Sequence, residues 1–63
     1  MKTEKSSVLA AIAQVEAHPM GDSAFKAIDD ARWLLEQGST AEAMDRVRDA
    51  WTYDHPLAPF PEG

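Results

Sequence analysis

Glycine and proline divide this chain into three stretches long enough for a helix and one that is not. Proline stands at positions 19, 56, 59 and 61, and glycine at 21, 38 and 63, within 63 residues. Pro19 disfavours helical dihedrals at His18, so a helix that starts near the beginning of the chain ends there. Gly38 is a natural stop because it tolerates the left-handed conformation that closes many helices. From Pro56 onward three prolines in six residues forbid more than a single turn.

Apolar spacing fills the three open stretches with helices. In the first, about 3–17, Val8, Leu9, Ile12 and Val15 recur at helical intervals with Ala11 on the same side. Thr3, Ser6 or Ser7 could serve as its N-cap. The second, about 23–37, carries one apolar arc of Ala24, Ala27, Ile28, Ala31, Leu34 and Leu35, with Phe25 at its edge and Asp22 or Ser23 as cap. The third, about 40–52, gathers Ala43, Met44, Val47, Ala50 and Trp51 on a narrow face. Ser39 and Glu42 have capping-box spacing at its start. The fold class is therefore all-α: three short helices, the second and third antiparallel, and an extended Pro-rich C-terminal tail. The expected division is a helical domain over 1–53 and a tail over 54–63, the tail either packed back on the helices or mobile.

The core such a chain can bury is thin. Eleven of its apolar residues are alanine, and Leu, Ile, Val and Phe together make 11 of 63. That share is below the ~20 % at which a charged chain begins to resemble a disordered one. The expected core residues are Val8, Leu9, Ile12, Val15, Phe25, Ile28, Leu34, Leu35, Met44, Val47 and Trp51. So small a core leaves no room for an internal cofactor cavity, and it favours further burial against a second copy or a partner.

Cysteine is absent, which excludes disulfides, thiolate metal sites and cysteine nucleophiles. No apolar run approaches the ~18 residues of a membrane span, and Gln14 and Glu16 interrupt the only short run that could pass for a secretory leader, so a cytoplasmic location is expected. Eleven acids against six bases give a net charge of −5, which argues against binding nucleic acid or an anionic membrane through bulk charge. The third helix, with Glu42, Asp45 and Asp49 against Arg46 and Arg48, makes a poor DNA-recognition helix for the same reason.

The stretch from Ala24 to Pro56 resembles one tetratricopeptide repeat. Ala31 stands at the family's small position in the first helix of the pair, Gly38 at the turn glycine, and Ala43 and Ala50 at the small positions of the second helix. Leu34 and Val47 stand where aromatics are usual, and Pro56 lies one residue beyond the usual proline. The chain departs from the family in having one unit where about three are needed, and in lacking the Trp-Leu-Gly signature. The resemblance implies a tight helical hairpin, buttressed here by the first helix, and a role in protein–protein interaction.

Chemistry-bearing residues do not converge in the sequence. His18 and His55 each precede a proline; a metal site would need further ligands such as Asp54 or Glu16, and no helical i, i+4 ligand pair includes a histidine, so no metal site is expected. Ser6, Ser7, Ser23 and Ser39 read as cap or turn residues, and no Gly-rich phosphate loop exists. No enzyme, cofactor or small-molecule substrate is expected. The informative residues are aromatic. Trp33 falls off the apolar arc, so it is either covered by the first helix or tail or left free as an interface anchor, a role in which tryptophan is enriched. Tyr53, Leu57 and Phe60 form a second apolar set in and before the tail; Pro56-Leu57-Ala58-Pro59 has polyproline-ligand spacing but no flanking base.

Two functions follow as expectations. One is a small acidic interaction module that self-associates as a homodimer, or docks on a protein partner, through Trp33, Tyr53, Leu57 and Phe60. The other is an acidic regulator or inhibitor of a nucleic-acid-handling complex, presenting Asp29, Asp30, Glu36, Glu42, Asp45 and Asp49 at phosphate-like spacing.

Overall fold

The computed structural model describes residues 4–61, and within them the chain is three helices: α1 over Lys5–Glu16, α2 over Asp22–Glu36 and α3 over Thr40–Asp54. The all-α class and the antiparallel α2/α3 hairpin are as the spacing predicts. α2 and α3 pack most closely; α1 lies mainly on α3 and only grazes α2.

The helix ends are built differently from the sequence expectation. Glu4, with extended backbone, takes the N-cap place of α1, and Ser6 and Ser7 lie inside the helix. Thr3 lies outside the described residues. At the far end the His18 backbone N–H donates to the Val15 carbonyl, and its ring Nδ1 lies 3.0 Å from the Gln14 carbonyl, which can only accept, so Nδ1 is the donor in that bond. Gly21, not Asp22 or Ser23, caps α2, and it carries no side chain to do so. The expected cap is displaced because the Gly21 N–H donates to Asp54 Oδ2 at 2.9 Å, a carboxylate supplied by the end of α3.

Gly38 ends α2 as predicted, at φ +85°. Its N–H donates to the Leu35 carbonyl and the Ser39 N–H to the Leu34 carbonyl, at 3.1 and 2.9 Å. This paired pattern is a Schellman closure, and it satisfies carbonyls that the last turn leaves open. It also removes the predicted capping box. The Ser39 N–H that Glu42 would accept from is already given to Leu34, and the Ser39 side chain makes no cap bond. α3 runs to Asp54, two residues beyond the expected end, because the His55 N–H still finds the Trp51 carbonyl before Pro56 intervenes.

The core is made of small side chains under a few large ones. Val8, Ala11, Ile12 and Val15 of α1 meet Ala24, Ala27, Ile28, Ala31 and Leu35 of α2 and Ala43, Val47, Ala50 and Trp51 of α3. Alanine at 31, 43 and 50 lets the hairpin backbones approach closely. Leu34, Met44, Met20 and Phe60 are partly buried at its margin. Two expected core residues are corrected: Leu9 is 49 % exposed and Phe25 55 %. Both lie on flanks where α1 and α2 would have to meet broadly, and they do not.

The tail returns over the third helix. Ala58 N–H donates to the His55 carbonyl, turning the chain at Pro56-Leu57, and the Trp51 indole N–H donates to the Ala58 carbonyl at 3.2 Å. His55 stacks on the Trp51 ring at 3.9 Å, and His18 and Phe60 meet it edge-on at 4.9 and 6.2 Å. Trp51 is thereby buried, as its place on the apolar face of α3 implies.

Candidate functional site

Helix periodicity puts Trp33 directly opposite the buried arc of α2, at about 100° per residue. It is 60 % exposed, covered by neither α1 nor the tail. Its neighbours one turn away are Asp29, Asp30, Glu36 and Gln37, all exposed. The surroundings of Trp33 are therefore acidic.

Much of the basic charge is drawn elsewhere. Arg32 reaches across to α1, where its Nη2 lies 2.8 Å from Glu16 Oε1. Arg46 of α3 lies between Asp30 and Asp49, at 3.8 and 3.7 Å. Asp22, Asp29 and Glu36 take part in no ion pair among the described residues. The acidic residues nominated from sequence thus split in two. Asp29 and Glu36 surround Trp33, while Asp30 and Asp49 are tied by one guanidinium. Glu42 and Asp45 are exposed on α3.

The four aromatic and aliphatic candidates do not form one patch. Tyr53, exposed on α3, borders a shallow hollow with Ser23, Lys26, Ala27, Asp30 and Arg46. Leu57 is 98 % exposed at the tip of the tail's turn. Phe60 is partly buried against Trp51 and borders an open groove of about 450 Å³ with Ala10, Ala11, Met44 and Arg48. Leu57 belongs to the end of the hairpin where Asp54 meets Gly21. Trp33 lies about 18 Å further along the α2 axis, twelve residues on from Gly21.

Sequence reasoning places Phe25 in the core, from its position at the arc's edge, and so misses it as a surface residue that belongs with Trp33. The signal that identifies it is the spacing 22, 25, 29, 33 and 36, which alternates acid and aromatic along one side of the helix. Neither histidine gathers ligands: among the described residues no group of three or more His, Cys, Asp or Glu could hold a metal ion. His55 Nδ1 is buried without a hydrogen-bond partner. No described helix is long and apolar enough to cross a membrane.

No protein family model, curated protein or solved structure matches the chain. Its tetratricopeptide-like features are buried alanines at the helix contact and a left-handed glycine at the turn.

Proposed function

We propose that the chain is a non-enzymatic protein–protein interaction module that docks on a partner through the outer face of α2, with Trp33 as its anchor. The observation that carries this reading is a tryptophan 60 % exposed on the side of the helix facing away from the core. Leaving an indole in water forfeits the ~2 kcal/mol that burying a large apolar side chain typically returns. Docking recovers it, and tryptophan supplies large contact area at small entropic cost. Carboxylates around it disfavour phosphate-bearing surfaces, so the partner is a protein and not a nucleic acid or a membrane.

The acidic-inhibitor reading draws less support. Phosphate mimicry needs an unbroken anionic row, and Arg46 sits between the carboxylates of α2 and α3.

Site-specific photocrosslinking tests the proposal. The photoreactive residue benzoylphenylalanine replaces Trp33, or exposed Ala13 of α1 as control, in chain produced in its source organism. A discrete protein adduct from position 33 and none from position 13 is the expected result. Identical patterns from the two positions would reject the α2 face as a docking surface.

A further inference from the structure

Five residues of α2 form a single exposed stripe: Asp22, Phe25, Asp29, Trp33 and Glu36. At about 100° per residue they fall within about 80° of one another and run for about 21 Å along the axis. Acid and aromatic alternate along it. Among the described residues the three carboxylates have no ion-pair partner, and both aromatics are more than half exposed. Of the helix's two bases, Arg32 is held by Glu16, and Lys26 lies on the stripe's edge towards α3, where it borders a hollow with Arg46 and Tyr53.

The pattern is symmetric about Asp29, with aromatics four residues to either side and acids seven. An antiparallel second copy would therefore set Asp29 against Asp29 and Asp22 against Glu36. Like charges at such distances repel, so the stripe opposes its own image. It complements a surface of opposite sign. Arginine stacks its guanidinium plane on Trp and Phe faces and pairs with carboxylates through a rigid fork.

Building on the docking role proposed for Trp33, we infer that the α2 stripe binds a basic helical segment of another protein, one carrying arginine or lysine at seven-residue spacing. Its cations meet Asp22, Asp29 and Glu36, and their aliphatic stems lie on Phe25 and Trp33.

The probe is an alanine-based helical peptide with three arginines seven residues apart, titrated into the full chain and followed by the two indole N–H resonances. Controls are the same peptide with arginines five residues apart and one with glutamate replacing arginine. The arginine peptide moves the Trp33 indole and leaves the Trp51 indole in place. Affinity falls about tenfold in Trp33→Ala and in Asp29→Asn. It also falls with salt and with the five-residue spacing. Equal binding of the two arginine peptides, undiminished binding to Trp33→Ala, or no movement of the Trp33 indole overturns the inference. If the peptide fails but position 33 still crosslinks a protein, docking stands and the cationic partner is rejected. A dimer abolished by Trp33→Ala, with no peptide binding, assigns the stripe to a second copy. Failure of both the peptide and the crosslink removes both proposals.

Discussion

The Gly21 backbone N–H donates to Asp54 Oδ2 across 2.9 Å, so the last residue of α3 caps the first turn of α2. The two are 33 positions apart in sequence. The carboxylate satisfies a donor just ahead of the helix and places negative charge at the positive end of its dipole. Replacing Asp54 with alanine removes both effects and is expected to cost about 1 kcal/mol, the usual worth of a helix cap. Asparagine retains an acceptor and should cost less. Urea denaturation of the three proteins, read by far-ultraviolet circular dichroism, checks the order; an unchanged midpoint for Asp54→Ala would show that the bond contributes nothing.

Gly38→Ala isolates a backbone cost. A Cβ placed there meets nothing within 4 Å, yet the residue stands at φ +85°. The penalty is then conformational alone, about 1 kcal/mol, and the urea midpoint should fall without a change in slope.

Ala31→Leu and Ala43→Leu overfill the hairpin seam. Both alanines are wholly buried where α2 and α3 approach. Inserting three heavy atoms there typically costs 1–3 kcal/mol, at about that scale or above for so small a core. Thermal unfolding should report a lower Tm for each, whereas leucine at exposed Ala13 should leave it unchanged.

Phe60→Ala tests whether the tail closes over Trp51. Phe60 is only partly buried, so the loss is expected at roughly 1–2 kcal/mol, below the 3–5 of a fully buried phenylalanine. The more specific readout is hydrogen exchange at the Trp51 indole N–H, now bonded to the Ala58 carbonyl. Exchange should accelerate in the variant; unaltered exchange would mean the turn at Pro56-Leu57 holds without Phe60.

Trp33→Ala should leave the fold largely untouched. With most of the ring already in water, stability is expected within about 0.5 kcal/mol of the parent. A large destabilisation would show that Trp33 serves the fold and not an external surface.

The three helices were legible because glycine and proline are local signals and the apolar period survives in each segment. Gly38 and Pro56 act through their own backbone. The caps were not legible, since the acceptor at Gly21 comes from Asp54, a tertiary event invisible to local pattern. Ser39 has the right spacing to Glu42 but gives its N–H to Leu34 instead. Leu9 and Phe25 were misplaced because an apolar arc records which residues could be buried, not how widely a neighbouring helix covers them. Trp33 could be singled out by angle alone. Its partnership with Phe25 and three exposed carboxylates emerges once Phe25 is known to lie outside.

α1 leans on α3 and scarcely on the helix that follows it in sequence. The closest packing is between α2 and α3, so amides of α1 should exchange through a partial opening while those of Ala31 and Val47 wait for global unfolding. Because the Trp33 face belongs to the hairpin, transient loss of α1 would leave it standing.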